Sequence, residues 1–176
     1  MVNYFELYGI AESFNPDPAV VKKRYYELSR LHHPDRFATA DEATKAATLR
    51  MSAVNNDAYK TLNSADATMA YILKLHQLLE DEEKYNLPPA FLMEMMDLNE
   101  VTSEWETEPA NEILKQQAIN ALANQMEQWE IKVKPLTQKF DAGDHTSELL
   151  TRIKDYYFRK KYLLRIQERI NTFASR

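Results

Sequence analysis

Apolar side chains recur at intervals of three and four residues along most of the chain, a period that predicts α-helices rather than strands. The first long helix is predicted to begin at Asp17 and Pro18, because aspartate caps free backbone N–H groups and proline fits the first helical turn. It should end near His33, because Pro34 disfavours helical geometry in the residue before it. Its apolar stripe is predicted to contain Val20, Val21, Leu28 and Leu31.

A second long helix, from Asp41 to about Asn63, is predicted by alanines and larger apolar residues at helical spacing. The loop between the two helices is short, so they are expected to form an antiparallel hairpin. The segment at residues 68–79 is so rich in apolar side chains that we expect it to be buried between two parts of the protein. The acidic stretch that follows, DEEKYNLPP at residues 81–89, indicates a joint.

Three more helices are predicted after this joint. The first contains Phe91, the second runs from about Ala110 to Phe140, and the third runs from about Ser147 to Phe173. Gly143 separates the last two, and Pro135 should kink or end the middle helix. The predicted fold class is therefore all-α, with a helical hairpin followed by a three-helix bundle.

The composition restricts the possible chemistry. The sequence contains no cysteine, which excludes disulfides and thiolate metal ligands and favours a reducing, cytoplasmic location. We expect no metal site and no cofactor. The start of the chain lacks the pattern of a signal peptide, and no stretch approaches the roughly 18 apolar residues that a membrane span needs, so no membrane partner is expected.

Charge is distributed unevenly along the chain, whose formal net charge is -5. Residues 80–112 carry eleven acidic side chains and a single base, Lys84, and would repel a nucleic acid. The first long helix and the loop after it are instead rich in bases, which favours an acidic protein partner. These bases are Lys22, Lys23, Arg24, Arg30 and Arg36.

The most distinctive local motif is His33-Pro34-Asp35, in the polar loop between the hairpin helices. Lys22, Tyr25 and Tyr26 are predicted on the solvent face of the preceding helix, and exposed tyrosines beside a cation are typical of a contact surface. From the loop and helix pattern alone, an equally open interpretation is that Asp35 caps a turn and His33 is an ordinary loop residue. An enzyme is not expected, because no nucleophile accompanies the pair and one histidine with one carboxylate is a poor metal site.

Taken together, these elements resemble the J-domain. The basic helix ends in YYELSRLH at residues 25–32, the loop is HPDRF at residues 33–37, and the next helix contains NNDAYKTL at residues 55–62. The resemblance implies contact with a DnaK-type ATPase chaperone and stimulation of its ATP hydrolysis. The contact residues it implies are His33, Pro34, Asp35, Lys22, Tyr25, Tyr26 and Arg36. Tyr26 and Glu27 stand where family members often carry bases, which is expected to weaken or retune docking.

A second candidate surface lies on the helix predicted from Phe91 to Trp105, which has two faces. One face contains Phe91, Met95, Leu98, Thr102 and Trp105, and the other contains Leu92, Met93 and Met96, continued by Asp97, Glu100 and Glu104. A leucine and methionine patch with an acidic rim is typical of an adaptable protein-binding surface. The alternative is that both faces are buried. Phe158, off the core stripe of the last helix, either joins this patch or packs on a neighbouring helix.

Over its whole length the chain resembles the HscB family of iron–sulfur cluster co-chaperones, most specifically in AYILKLH at residues 70–76 and FLME at residues 91–94. The resemblance implies an L-shaped protein with a J-domain at residues 1–76, a linker at 77–87 and a scaffold-binding three-helix domain at 88–176. It implies two partners, a DnaK/HscA-type chaperone and an IscU-type cluster scaffold. The scaffold contacts it implies are Leu92, Met93, Met96, Asp97, Glu100, Glu104 and Phe158.

The function implied by this resemblance is delivery of the scaffold to the chaperone, with stimulated ATP hydrolysis promoting cluster transfer and the maturation of iron–sulfur proteins. The main alternative is a J-domain adaptor whose bundle recruits a different client. A structural helical protein with a fortuitous tripeptide is a third possibility, and it predicts no stimulation of ATP hydrolysis.

Overall fold

The computed structural model describes residues 2–37 and 39–174, and of Pro34 it describes only the backbone. Every regular element in this part of the chain is helical, which confirms the predicted all-α class. A single 3₁₀ turn at Pro34–Phe37 follows the second helix. The α-helices are α1 (Tyr4–Tyr8), α2 (Pro18–Leu31), α3 (Glu42–Leu62), α4 (Ala65–Leu75), α5 (Pro89–Glu94), α6 (Met96–Thr107), α7 (Glu112–Asp141) and α8 (Ser147–Ala174).

The chain divides into two compact units. The N-terminal unit consists of Met1–Leu79 together with Phe140–Gly143, and the C-terminal unit consists of Glu80–Lys139 and Asp144–Arg176. Within the N-terminal unit, Phe140 packs edge-on against Phe14, with the ring centroids 4.8 Å apart. The end of α7 and the two residues after it therefore belong to the first unit, where Phe140 is buried, although they are distant from it in sequence.

The helices α2 and α3 form the antiparallel hairpin expected from the sequence. Tyr25 of α2 stacks on Tyr59 of α3 with ring centroids 4.3 Å apart. Ser29, one turn later in α2, accepts a hydrogen bond from Asn55, one turn earlier in α3. The two chain directions are therefore opposite, and the loop carrying the His-Pro-Asp motif lies at the end of the hairpin.

The apolar stripe predicted for α2 is only partly correct. Val21 is buried, but Val20 and Leu31 are exposed, and so is Leu49 of α3. The buried side of α3 is formed by Thr48, Asn55, Ala58 and Leu62, and Leu49 lies about 100° around the helix from Thr48. Two of these four buried residues are polar, so apolar periodicity alone could not identify the face of α3 that packs.

Asn55 is the polar centre of the hairpin. Its Nδ2 donates to the Tyr25 carbonyl at 3.1 Å and to the Ser29 hydroxyl at 3.0 Å, and its Oδ1 accepts from the Tyr8 hydroxyl at 3.0 Å. Burial raises the pKa of Tyr8, so its hydroxyl stays protonated and able to donate. One buried amide thus joins α1, α2 and α3, and the cost of desolvating it is offset by its hydrogen bonds.

Replacing Asn55 with alanine is expected to destabilise the N-terminal unit by about 2 kcal/mol, because Tyr25 and Ser29 would lose a hydrogen bond and the Tyr8 hydroxyl would keep only its bond to the backbone carbonyl of residue 55. Hydrogen-exchange protection of α2 and α3 backbone amides measures this loss. Arg50→Ala is the control, because Arg50 is exposed on the same helix, and its replacement should change stability by no more than about 0.5 kcal/mol. Equal protection in the two variants would contradict the role given to Asn55.

The C-terminal unit contains one core shared by the α5–α6 segment, α7 and α8. Its buried residues are Phe91, Met95, Leu98, Trp105, Ala118, Leu122, Leu163, Ile166 and Ile170. Pro135 was predicted to kink or end the middle helix. It does not end the helix, because α7 continues through the proline to Asp141. Proline removes one backbone donor there, and the helix is retained by the buried side chains around it, including Val133 and Leu136.

The helix predicted from Phe91 to Trp105 is in fact two helices that meet at Met95. The Met95 N–H bonds to the carbonyls of both Phe91 and Leu92, which tightens the turn. The Asn99 side chain donates to the Met95 carbonyl and to the Tyr162 hydroxyl, both at 2.8 Å. The junction is therefore fixed by a contact from α8, and the sequence has no glycine or proline there to reveal it.

Candidate docking surfaces

The His-Pro-Asp motif lies in the open. The His33 side chain is 56% exposed and that of Asp35 is 90% exposed, while the Pro34 side chain lies outside the described residues. The Asp35 backbone N–H donates to Nδ1 of His33 at 3.3 Å. Since Nδ1 accepts this bond, a neutral imidazole carries its proton on Nε2. The loop thus presents a ring donor to solvent together with an exposed carboxylate, whose Oδ2 lies 3.7 Å from His33 Nδ1.

Exposed bases lie beside the motif and along the helix that precedes it. Lys22 and Arg36 are exposed, and the Arg36 guanidinium donates to the Arg30 carbonyl at 3.0 Å. This carbonyl belongs to the last turn of α2, where a cation is favoured by the helix dipole. Arg24 instead donates to the Tyr8 carbonyl at 2.7 Å and pairs with Glu27 at 2.6 Å. At the loop end of the hairpin the exposed bases are therefore Arg30 and Arg36, while Lys22 and Lys23 are exposed two to three helical turns away, near the start of α2.

The solvent-facing position predicted for Tyr25 needs correction. Its ring stacks on Tyr59, and its hydroxyl donates to the Asn56 side chain at 3.1 Å, so it lies between α2 and α3. Tyr26 is half-exposed and packs against Tyr25 with ring centroids 5.4 Å apart. Tyr26 therefore exposes more of its ring to solvent than Tyr25 does. Tyr25 packs between Tyr26 and Tyr59 of α3.

A second exposed surface occurs at the junction of α5 and α6. Leu92, Met93 and Met96, hereafter the apolar patch, are 42%, 70% and 62% exposed. Phe91, Met95 and Leu98 from the opposite face are buried. The alternative that both faces are buried is therefore wrong, and three large apolar side chains meet solvent close together in sequence.

Asp97, Glu100 and Glu104, hereafter the acidic rim, continue this surface along α6. All three are exposed, and among the described residues no basic side chain forms a salt bridge with any of them. Neighbouring acids differ, since Glu94 approaches Lys132 at 3.7 Å and Glu106 binds Arg169. The rim thus retains uncompensated negative charge that a basic surface could meet.

The apolar patch is supported from beneath by α8. The Arg159 guanidinium lies 5.1 Å from the ring centroid of Phe91, and Asp155 binds it at 2.6 Å. Tyr162 contacts the same phenylalanine edge-on, with centroids 5.6 Å apart. These three α8 residues were not identified from the sequence, because their role depends on packing across about 65 residues of chain. One signal in the sequence was available: Asp155 and Arg159 are four residues apart, the spacing at which opposite charges pair along a helix.

Phe158 is not part of the exposed patch, which corrects the prediction. It is only 7% exposed and stacks on Tyr85, with the rings 2° from parallel and 4.3 Å apart. The Tyr85 hydroxyl donates to Asp155 at 3.1 Å, and burial together with this carboxylate raises the pKa of Tyr85. The second interpretation of Phe158, packing on a neighbouring helix, is right that the ring is covered but wrong about what covers it, because Tyr85 lies between α4 and α5 and not in a helix. Its partner is in the stretch predicted to be a joint.

Within residues 2–37 and 39–174, no group of three or more histidine, aspartate or glutamate side chains is arranged to hold a metal ion. No helix in the same part of the chain is both long and apolar enough to cross a membrane.

Comparison with known proteins gives consistent matches to one family. Residues 87–171 match the family model described as the HSCB C-terminal oligomerisation domain. The human iron-sulfur cluster co-chaperone protein HscB is 38% identical over 109 residues, which are 61% of this chain and 46% of that protein. A co-chaperone protein HscB homolog from Pseudoalteromonas atlantica is 38% identical over 100 residues, 56% of this chain and 57% of the homolog. The chain thus spans about half the length of these curated relatives.

Solved structures match over a larger part of the chain. The crystal structure of human co-chaperone protein HscB has a TM-score of 0.76 at 28% identity, covering 98% of this chain and 82% of that one. The chaperone HscB from Vibrio cholerae has a TM-score of 0.65 at 25% identity, with coverages of 96% and 99%. The similarity therefore extends across both units of the fold.

Proposed function

The chain belongs to the HscB family of co-chaperones, and from this premise we propose that it is a J-domain adaptor that binds an IscU-type iron–sulfur scaffold and delivers it to a DnaK/HscA-type chaperone. The proposed location is the cytoplasm. In this proposal the adaptor performs no chemistry of its own. It works by holding two proteins together and by favouring one conformation of the ATPase.

The hairpin end is the proposed chaperone-binding surface. His33 and Asp35 are exposed side by side, and the surrounding cations would attract an acidic surface on the ATPase. Binding that is tighter to the hydrolysis-competent conformation would shift the chaperone toward it and so stimulate hydrolysis. Glu27 pairs with Arg24, so α2 presents less net positive charge than its base count suggests, and docking should depend more on the loop itself.

The apolar patch is the proposed scaffold-binding surface, and its exposure is the single observation that carries this assignment. A monomer gains nothing in stability from leaving Leu92, Met93 and Met96 in water, whereas a partner that covers them gains hydrophobic free energy. The acidic rim would select a basic region on the scaffold and fix the orientation of binding. The iron–sulfur cluster is cargo on the scaffold, and the adaptor has no cysteine with which to take it.

The bridging mechanism follows from having two separate surfaces on one chain. A scaffold bound at the patch is brought to an effective concentration near the chaperone that free diffusion would not provide. ATP hydrolysis, triggered through the hairpin end, would close the chaperone on the scaffold. Cluster release would then follow from the conformational change in the chaperone.

Calorimetric titration of the full chain with a purified IscU-type scaffold tests this proposal. Binding should weaken several-fold as salt is raised, because the acidic rim is exposed and therefore screened. Neutralising the rim with Asp97→Asn, Glu100→Gln and Glu104→Gln should remove most of the salt dependence. The matched control, Glu127→Gln with Glu130→Gln, alters exposed acids of α7 and should leave it unchanged. The absence of binding at low salt would contradict the proposal.

A further inference from the structure

The sulfur-containing side chains divide sharply by exposure. The sequence has seven methionines and no cysteine. Met93 and Met96 are 70% and 62% exposed, whereas Met69 and Met95 are 7% and 1% exposed. Met51 and Met126 are partly buried. Among the six methionines that the structure describes, Met93 and Met96 therefore present their thioethers most openly to an oxidant from solvent, and both belong to the apolar patch.

We propose that Met93 and Met96 form a redox-sensitive modification site, at which peroxide converts the thioethers to sulfoxides and thereby weakens binding of the client. In this step the O–O bond of the peroxide breaks and an S–O bond forms. The sulfur is oxidised by two electrons, and the remainder of the peroxide leaves as water or an alcohol. This inference rests on the proposed function, because the patch that it switches is the proposed client surface.

Sulfoxide formation should act on docking rather than on the fold. Both side chains project into solvent, so the added oxygen does not enter the core, and Met95 between them remains buried beside Leu98. The contacts that fix the α5–α6 junction, from Asn99 to the Met95 carbonyl and to Tyr162, involve neither exposed thioether. Oxidation would therefore leave the junction in place while changing the surface chemistry above it.

The acidic side chains next to the two thioethers cannot compensate for burial of the new oxygen. A sulfoxide oxygen is a hydrogen-bond acceptor, and burying it at an apolar contact without a donor is unfavourable. Glu94, Asp97 and Glu100 are acceptors when ionised and cannot donate to it. A client that fits two flexible apolar side chains would thus meet two polar groups to which the neighbouring acids donate no hydrogen bond.

Peptide mapping by mass spectrometry after graded peroxide treatment of the full chain tests the site itself. Met93 and Met96 are expected to be oxidised at least about tenfold faster than Met69 and Met95, since thioether oxidation follows exposure. Oxidation of Met51 or Met126 at the same rate as Met93 would overturn the assignment of the site. This measurement requires no partner.

Calorimetry with the purified scaffold tests the consequence. Peroxide treatment should weaken binding by wild type at least about tenfold, and methionine sulfoxide reductases should restore it. The affinity of a Met93→Leu, Met96→Leu variant should be the same before and after peroxide, while Met51→Leu with Met126→Leu should remain as sensitive as wild type. Equal sensitivity of the first variant would overturn the switch. If untreated wild type fails to bind, the proposed function fails instead, and the oxidation map still decides whether these two methionines are the reactive ones.

Discussion

Replacing His33 with glutamine is expected to abolish stimulation by the adaptor, so that the chaperone hydrolyses ATP at its basal rate. Glutamine lacks the ring that presents a donor at Nε2 while its Nδ1 accepts from the Asp35 backbone. If His33 is a central contact, losing it should cost about 2 kcal/mol or more of docking free energy, roughly a 30-fold loss of affinity. Single-turnover hydrolysis, measured over a range of adaptor concentrations, reports the loss.

His145→Gln provides the control for this experiment, because it removes an exposed histidine from a loop of the C-terminal unit. Its stimulation should equal that of wild type. Scaffold binding by the His33 variant should also be retained, since the apolar patch lies on other helices. Full stimulation by the His33 variant would contradict the assignment of the hairpin end as the chaperone-binding surface.

Removing the apolar patch with Leu92→Ala, Met93→Ala and Met96→Ala is expected to weaken scaffold binding about 100-fold. The three truncations remove apolar area that the partner would cover, worth about 3 kcal/mol in total. Because all three side chains are exposed in the free protein, no cavity forms, and stability should change by only about 0.5 kcal/mol. Calorimetry and thermal unfolding of the same samples separate the two effects.

The control for the patch is Ile113→Ala with Ile131→Ala. These isoleucines of α7 are 72% and 56% exposed, so they match the patch in apolar exposure but lie outside it. Their replacement should leave scaffold affinity unchanged. Equal losses in the two variants would show that the binding depends on surface hydrophobicity in general and not on the α5–α6 junction.

The helix starts could be predicted from the sequence because capping is a local interaction. Asp17 accepts from the Ala19 N–H at 2.8 Å, and Asp41 accepts from the Thr44 N–H at 2.9 Å. The Thr44 hydroxyl also donates to Asp41, and these bonds hold the pKa of that carboxyl below its usual range. Such contacts span only two or three residues, so a short sequence window contains all the information needed.

The exposed patch was also accessible to sequence reasoning, since Leu92, Met93 and Met96 are too many apolar residues for a helix with one buried face. The break at Met95 was not predictable, because it is fixed by Asn99 and Tyr162, which lie 63 residues apart in the chain. Phe158 was misassigned for a related reason. The aromatic ring that covers it, Tyr85, lies in a segment whose acidic and proline-rich composition indicated only a joint.

The buried face of the hairpin helices could not be predicted from the sequence either. Apolar periodicity predicted that Leu31 packs in the core, yet it is exposed, and the interior of α3 is centred on the amide of Asn55. A buried polar residue is stable only when its partners are in place, and those partners, Tyr8, Tyr25 and Ser29, come from two other helices. No single-helix pattern contains that information.

The claim on which the whole account depends is that one chain couples a client to an ATPase through two separate surfaces. Single-turnover ATP hydrolysis by the DnaK/HscA-type chaperone, with the adaptor and the scaffold added separately and together, tests it most directly. We expect stimulation by the adaptor alone, and with both proteins present a stimulation greater than the sum of their separate effects. Additive rates, or no response to either protein, would contradict the coupling.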